Sequence, residues 1–297
     1  MGPGTLGNSI IIVDTNKNTV SEIDGLSEAR WGMGDIVVAG DKVVMGRYKK
    51  SYEDTICDSI LIIDTIANTV SEKKVTTSAQ WGYGSTAVVG NKVVMGRGYE
   101  TPGNSILIID TNKNTVSEKT GFSKAEWGKY GTIVAGSKVV MGRAGNTILI
   151  IDTDKNTVSE VGGFSKAIWR SSSSIGSKVV MGRNTAGKSI LIIDTDTNIV
   201  SEIGGLSEAR WLRYSTAVAG NKIVMGPSYY GSKSILIIDT VTNTVSEIDV
   251  GTSKVNWGDS STVAVGSKVV MGREPSGNSI LIIDTVTNTV MEKDGTN

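Results

Sequence analysis

Short apolar segments bounded by turn residues recur along the whole chain, and they predict β-strands. Val43 to Met45 and Ile60 to Ile63 are typical: each is short and apolar and lies between polar or glycine residues. No stretch keeps a helical period. The segments of the form Asp-Thr-x-x-Asn-Thr predict tight turns, because Asp and Asn side chains bond nearby backbone and tolerate left-handed geometry. The pattern therefore predicts an all-β protein.

Two segments alternate strictly along the chain, so the sequence is a tandem repeat. One has the form S-I-L-I-I-D-T-x-x-N-T-V-S-E and occurs seven times, with its aspartate at Asp14, Asp64, Asp110, Asp152, Asp194, Asp239 and Asp284. The other begins with a tryptophan and continues through a short apolar run to G-x-K-V-V-M-G-R. It occurs six times, with the tryptophan at Trp31, Trp81, Trp127, Trp169, Trp211 and Trp257, 42 to 50 residues apart.

Each repeat contains four predicted strands, named A to D. In the second repeat these are Thr86 to Val89, Lys92 to Gly96, Ser105 to Asp110 and Asn114 to Glu118. Four short antiparallel strands at this period are typical of one blade of a β-propeller. The C strands are almost continuously apolar, which predicts burial of both faces between stacked blades.

The repeat count predicts one domain with a six-bladed β-propeller over residues 26–297. Residues 1–25 hold an extra C–D-type hairpin, Asn8 to Glu22, without A and B strands. A seven-bladed ring with one half-blade is the alternative. Because an incomplete sheet leaves a strand edge to be covered, a homo-oligomer formed through this hairpin is a further hypothesis.

The run Asn278 to Val290, N-S-I-L-I-I-D-T-V-T-N-T-V, resembles the YVTN class of β-propeller repeat, and the chain is also similar to kelch-like repeat propellers. In the YVTN class a strand ending in V-I-D-T precedes T-N-T-V. The resemblance covers nearly the whole chain. It departs in strand B, where Val-Val-Met-Gly-Arg replaces the signature tetrapeptide, and in the repeated tryptophan. It implies a propeller fold and no particular activity.

Charge and apolar run lengths exclude some partners. The 30 Lys and Arg residues balance 30 Asp and Glu residues, so no strong field favours nucleic acid or an anionic membrane. The apolar runs are too short to span a bilayer, and no signal-peptide pattern is seen at the N-terminus. Cys57 is the only cysteine and forms no internal disulfide. We expect no nucleic-acid partner and no membrane insertion, and the cellular compartment stays open.

The residue types argue against catalysis. The sequence has no histidine, the commonest general base and metal ligand. It has no Gly-x-Ser-x-Gly elbow, phosphate-binding loop or metal-binding cysteine set. The repeated acidic residues occur in every copy, whereas a catalytic site should break the repeat. We therefore expect no enzyme, catalytic residue or cofactor. A carboxylate-dependent glycosidase is a less favoured alternative, with loop candidates Glu53, Asp54, Glu100, Asp259 and Glu274.

The repeated aromatic and basic residues are the candidate binding residues. A tryptophan ring can stack on a sugar or a peptide side chain, but a residue present in every copy more often packs between blades, and we favour packing for these six. Arginine binds carboxylate, phosphate or sulfate, but these arginines could equally pair with the glutamate that ends each D strand; we favour solvated or inter-blade pairs. Beside the six tryptophans, the candidates are Arg47, Arg97, Arg143, Arg183, Arg273, Tyr83, Tyr130 and Tyr214.

The links between strands differ in how much they vary. The A–B turns (Gly-x-Lys) and C–D turns are nearly constant, whereas the B–C links and the residues after each tryptophan vary in length and content. Propeller topology places the D–A and B–C links on one face. Because loops on a rigid scaffold carry binding, we predict a non-catalytic recognition scaffold whose site lies on that face around the channel mouth. The ligand class is a protein or a glycan. A structural assembly protein joined through the N-terminal hairpin is the alternative.

The constant turns have simple interpretations. Asp14, Asn16 and Asn18 are spaced like the first ligands of a calcium loop, but Thr19 stands where glycine is needed and no Glu occupies the twelfth position. We favour turn capping and predict no metal site. The lysine of each Gly-x-Lys turn is interpreted as a solubilising residue.

Overall fold

The computed structural model describes residues 7–28, 30–48, 58–98, 102–129, 131–228, 234–250, 256–274 and 278–294. These ranges contain strands, turns and links but no helix, so the all-β prediction is confirmed. The strands are β1 (Ile10–Asp14), β2 (Thr19–Ile23), β3 (Arg30–Ala39), β4 (Lys42–Tyr48), β5 (Ser59–Asp64), β6 (Thr69–Lys74), β7 (Trp81–Val89), β8 (Lys92–Arg97), β9 (Gly103–Asp110), β10 (Thr115–Ala125), β11 (Thr132–Ala135), β12 (Lys138–Met141), β13 (Ala144–Asp152), β14 (Thr157–Ile175), β15 (Lys178–Arg183), β16 (Ile190–Asp194), β17 (Ile199–Ile203), β18 (Arg210–Ala219), β19 (Lys222–Ser228), β20 (Ser234–Asp239), β21 (Thr244–Asp249), β22 (Asn256–Val265), β23 (Lys268–Glu274), β24 (Ser279–Asp284) and β25 (Thr289–Asp294).

Four repeats each form a four-stranded antiparallel sheet in which the strands lie in chain order. The sheets are β3 to β6, β7 to β10, β18 to β21 and β22 to β25, and β1 pairs with β2 as a separate hairpin. The same register recurs: Lys42 lies opposite Asp64 and Lys92 opposite Asp110. The predicted A-B-C-D unit and the extra C–D hairpin are therefore present in the structure.

In five of the six repeats the tryptophan lies inside strand A, whereas the sequence predicted that strand A follows it. Trp31 is opposite Arg47 and Trp81 is opposite Arg97. An irregular segment then separates this pair from the regular ladder that resumes at Ile36. In the third repeat strand A (β11) begins at Thr132, after Trp127, as the sequence predicted.

The third and fourth repeats differ from the prediction of separate D and A strands. The single strand β14 runs for 19 residues from the D position of the third repeat to the A position of the fourth. Trp169 in its second part is opposite Arg183. Residues Val161 to Ile168 therefore continue the strand where the sequence predicted a link, with Gly163 at a positive φ of 99°.

The described chain falls into two compact units. The first comprises residues 1–143 and 151–160, and the second comprises residues 144–150 and 161–297. The boundary passes through β13 and β14. The first unit contains the hairpin and the sheets β3 to β6 and β7 to β10; the second contains the sheets β18 to β21 and β22 to β25.

Within each unit, the core lies between successive sheets. In one cluster Val44, Ile60 and Ile62 of the first sheet pack against residues of the second, namely Trp81, Val93, Met95, Leu107 and Ile109. We call the first set the trailing face of a sheet and the second set the leading face of the next. The same pairing joins β16 to the sheet β18–β21, and that sheet to β22–β25. Alternation along each strand sends neighbouring apolar residues to opposite faces, so a C strand with a sheet on either side buries both faces, as predicted.

The glycine of Val-Val-Met-Gly-Arg allows this stacking to be close. A Cβ atom added at Gly96 would overlap the carbonyl oxygen of Trp127 and lie 2.9 Å from its carbonyl carbon. Gly46 meets Trp81 in the same way, as do Gly182 with Trp211 and Gly226 with Trp257. Since backbone rather than a flexible side chain occupies the space, no larger residue fits without moving one sheet away from the next.

The C–D turns show why Asp and Asn recur. The Asp14 carboxylate oxygen Oδ1 accepts hydrogen bonds from the backbone N–H groups of Asn16 and Lys17, each at 3.0 Å. The turn asparagine adopts positive φ, for example 53° at Asn18 and 57° at Asn198. The turn-capping interpretation is confirmed, and these oxygens are engaged by backbone donors rather than arranged for calcium.

Candidate functional site

The six tryptophans are buried. Their relative exposure is 0% or 1% in every copy. Trp81 packs among Val44, Ile60 and Val93 at the contact between two sheets. The favoured packing interpretation accounts for this burial, and the enclosed rings present no open stacking surface in this conformation.

The repeated arginine lies over the tryptophan of its own sheet. The guanidinium carbon is 6.0 Å from the ring centroid for Arg47 and Trp31, and 5.1 Å for Arg97 and Trp81. The distances are 5.2 Å for Arg143 with Trp127 and 5.4 Å for Arg183 with Trp169. This contact was not predicted from the sequence. For Trp31, Trp81 and Trp169 it follows from cross-strand pairing with the arginine, and it adds a cation–π attraction.

The arginine also reaches the first serine of strand C. Arg97 donates from Nε and Nη2 to the Ser105 hydroxyl at 3.2 and 2.9 Å. Arg183 donates to Ser189 at 3.2 Å, and the Ser189 hydroxyl donates to Glu202 at 2.6 Å. Burial lowers the pKa of Arg97, and the nearby charge of Glu118 opposes that shift. An arginine held on both sides by its own sheet is less available to an external anion.

Arg143 lies 3.8 Å from Glu160, the D-strand glutamate of its own repeat, whereas the prediction favoured solvated or inter-blade pairs. Arg47 instead forms an ion pair with Asp58 at 3.8 Å, and its charge helps to lower the pKa of Glu72. Arg273 is described and partly buried opposite Trp257. Anion binding by these arginines stays a prediction.

The repeated glutamate holds the link that leads into its own sheet. Glu72 accepts a hydrogen bond from the Ser27 N–H at 2.9 Å, and Glu202 accepts one from the Ser165 N–H at 2.7 Å. Corresponding bonds join Ser123 to Glu160 at 2.8 Å and Ser207 to Glu247 at 3.1 Å. The partners are about 40 residues apart in sequence, so the glutamate ties the start of each repeat to its last strand.

Glu118 is the most heavily bonded of these carboxylates. It accepts from the N–H groups of Thr76 and Thr77 at 3.0 and 3.2 Å, and from both threonine hydroxyls. Burial raises its pKa, but the hydrogen bonds from Thr76, Thr77 and Ser105 outweigh burial and leave the pKa lowered. The charged form is therefore the one that the fold stabilises.

In four repeats the turn lysine forms an ion pair that was not predicted from the sequence, and its solubilising role stays a prediction. Lys178 lies 2.8 Å from Asp194, and Lys42 and Lys92 bond Asp64 and Asp110. In the sheet β22 to β25, Lys268 is 4.0 Å from Asp284. The cross-strand register places the two charges opposite each other, a relation that the linear pattern did not reveal.

The variable links are only partly described. Tyr83 lies in β7 and is 41% exposed. Tyr130 lies outside the described residues, and Tyr214 is described in β18 only for its backbone. The glycosidase candidates Glu53, Asp54 and Glu100 lie outside the described residues, and the side chains of Asp259 and Glu274 do too. The structure thus brings together Trp, Arg, Ser and Glu side chains in the second and fourth repeats, but no acid–base pair among the described candidates.

Metal and membrane features can be stated for the described part of the chain. No group of three or more Cys, Asp or Glu side chains in the described ranges is arranged to hold a metal ion. Among the same residues, no helix is long and apolar enough to cross a membrane.

The fold and these contacts define an all-β protein of repeated four-stranded antiparallel sheets, compatible with the β-propeller class. No protein-family model matches the sequence, and the comparison with curated proteins finds no match. Among solved structures, the chain is similar to apo AztD from Citrobacter koseri, at 12% identity and a TM-score of 0.50 over 93% of this chain and 74% of that one.

Two further structures show a weaker likeness. The computationally designed Ika8 protein is 15% identical with a TM-score of 0.45, covering 88% of this chain and 86% of that one. A chain of the mitotic checkpoint complex is 14% identical with a TM-score of 0.48, covering 88% and 78%. The likeness to AztD is one of fold alone and distinguishes neither a YVTN-type nor a kelch-like repeat.

Proposed function

We propose that the chain is a β-propeller-type protein in which six repeats act as blades, and that it serves as a non-catalytic recognition scaffold. Its ligand, a protein or a glycan, binds the face formed by the D–A and B–C links. One observation carries the proposal: most of the repeated chemically capable side chains in the described part of the chain are already engaged within the fold. The six tryptophans are buried, four arginines lie over them, and five glutamates hold the links.

Recognition would then depend on what differs between repeats. Trp81 and Arg97 lie at the ends of strands A and B that lead into the variable links. Tyr83, two residues after Trp81, is exposed, and the described link Asn184 to Lys188 differs from its counterparts. A rigid sheet under a variable polar and aromatic loop surface is typical of recognition modules. The alternative of a glycosidase gains no support from a described carboxylate pair.

Binding can be screened with a glycan array and a phage-displayed peptide library as probes. For a captured probe, Tyr83→Ala or replacement of residues 184–188 by Gly and Ser should weaken binding at least about tenfold, as expected for central contact residues. Val241→Ala, in a C–D turn assigned to the other face, is the matched control and should leave binding unchanged.

Stoichiometry separates two forms of the proposal. A single site per chain supports recognition by the variable links. A glycan bound near six times per chain would indicate repeated Trp–Arg pockets and would contradict recognition by the variable links. Loss of binding only in the Val241→Ala variant, or the absence of binding to either probe set, would contradict the proposed function.

A further inference from the structure

The two ends of the repeat array carry complementary apolar faces. In the first unit, the trailing face of the hairpin, with Ile10 and Ile12, packs on Trp31, Met45 and Leu61 of the first sheet. In the second unit, the leading face of the last sheet, with Trp257, Met271 and Leu281, packs on the sheet before it. The faces with no sheet of their own unit packed on them are therefore the leading face of the hairpin and the trailing face of the last sheet.

Both terminal faces are exposed where their internal counterparts are buried. On the last sheet, Ile280 is 40% exposed and Val265 68% exposed, whereas Ile60 and Ile235, which match Ile280 in other repeats, are fully buried. On the hairpin, Val13 is 48% exposed. Its counterparts Ile63, Ile109, Ile151, Ile193, Ile238 and Ile283 are at most 4% exposed.

The surroundings of Gly272, the repeated glycine of the last sheet, differ from those of its counterparts in the same way. A Cβ added at Gly272 would meet the side chain of Ser261 in the adjacent strand, at 2.7 Å from Oγ. At Gly46, Gly96, Gly182 and Gly226, the same position meets the backbone carbonyl of a following tryptophan. The trailing face of the last sheet thus has the internal shape but lacks the internal neighbour.

A substitution in the repeat makes this face more apolar. The third residue of the D-strand segment is serine in six copies, at Ser21, Ser71, Ser117, Ser159, Ser201 and Ser246. Asn114 donates to the Ser71 hydroxyl at 3.0 Å, so this position looks toward the following sheet. The last copy has Met291 there, 54% exposed. A methionine in place of serine favours burial against another apolar surface over contact with water.

We propose that the trailing face of the last sheet binds the leading face of the β1–β2 hairpin of a second copy of this chain. The contact sets Ile280 and Met291 of one copy against Val13 and Val20 of the other. Internally, trailing faces pack on leading faces, and head-to-tail association is the arrangement that repeats this packing between copies. The interface is heterologous, so two different surfaces meet and each copy keeps one of each. The inference rests on the sheet stacking and is independent of any ligand on the link face.

The heterologous interface predicts a complementation result. The variants Ile280→Lys and Val13→Lys each place a charge in one of the two terminal faces, at positions exposed enough in a single chain to leave folding intact. Each should weaken self-association by about a hundredfold or more, because an unpaired charge is excluded from an apolar contact. Mixed in equal amounts, the two variants should form a one-to-one dimer, because each retains the face that the other has lost.

The experiment is light scattering on the full chain over a range of concentrations, with circular dichroism to verify folding. The average molecular mass of the wild type should increase with protein concentration. The control variant Val241→Lys, on an exposed turn, should behave like the wild type. A monomeric wild type, or a variant mixture that stays monomeric, would overturn the inference. Monomers that melt at a lower temperature when either face is changed would indicate that the faces meet within one chain. A monomer that still captures a glycan or peptide would leave the proposed recognition function intact.

Discussion

Replacing Gly96 by alanine should separate two sheets of the first unit. The new Cβ would overlap the Trp127 carbonyl oxygen and lie 2.9 Å from its carbon, whereas ordinary contact begins at 3.4 Å. Because the carbonyl oxygen lies nearer still, the backbones must move apart by at least about 1 Å, which loosens the packing around both Trp127 and Met95. Overpacking of this kind costs about 1–3 kcal/mol, and a clash with backbone belongs at the upper end.

Urea unfolding monitored by tryptophan fluorescence measures this cost, with calorimetry as a second probe because repeat arrays can unfold in parts. Gly204→Ala is the matched control: nothing lies within 4 Å of its Cβ, so its stability should be unchanged or up to about 1 kcal/mol higher. Gly272→Ala should cost less than Gly96→Ala, since the Ser261 side chain can rotate away. Equal stability of the Gly96→Ala protein and the wild type would refute the close-stacking explanation of this glycine.

Three further predictions follow from the repeated polar contacts. Asn198 has a φ of 57°, which glycine adopts more easily than alanine. Asn198→Ala should therefore lower the free energy of unfolding by about 1 kcal/mol, whereas Asn198→Gly should leave it nearly unchanged. Equal effects of the two substitutions in chemical denaturation would contradict this explanation of the asparagine. Glu118→Gln should cost about 1–3 kcal/mol by leaving the donors of Thr76 and Thr77 poorly satisfied, against an exposed Glu208→Gln control. Folding lowers the pKa of Glu118 below its ordinary 4.5. The charged carboxylate therefore contributes fully to the stability of the fold above pH 4.5, and this contribution is lost as the pH falls through the folded pKa. The melting temperature, measured at pH 7, 5 and 3, should decline only at the acid end, and it should decline less in Glu118→Gln.

Much of the local structure could be predicted because it is encoded over a few residues. The run Ser105 to Asp110 was predicted as strand C, and β9 covers it. Alternating burial is imposed by the two-residue period of a strand, and the Asp-Thr-x-x-Asn-Thr turns need residues that cap and accept positive φ. The strict repetition of these segments then fixed the four-stranded unit.

The candidate site was predicted less well, because its contacts join residues that are distant in sequence. The sequence singled out Trp81 and Arg97 but did not show that cross-strand pairing sets one over the other. It suggested a partner for the glutamates but not the bonds from Thr76 and Thr77 to Glu118, 41 and 42 residues away. The repeated glycine was the one available signal of close stacking.

By itself, the sequence determined the strands, the turns and the repeating unit of this protein, since each depends on short-range steric and hydrogen-bonding preferences. The tertiary structure decided that the tryptophans are enclosed, that the glutamates hold the entry links, and that apolar residues are exposed at Ile280 and Val13. Identical segments receive different surroundings according to which sheet lies beside them. Burial is therefore a property of the stacked array and not of the repeat.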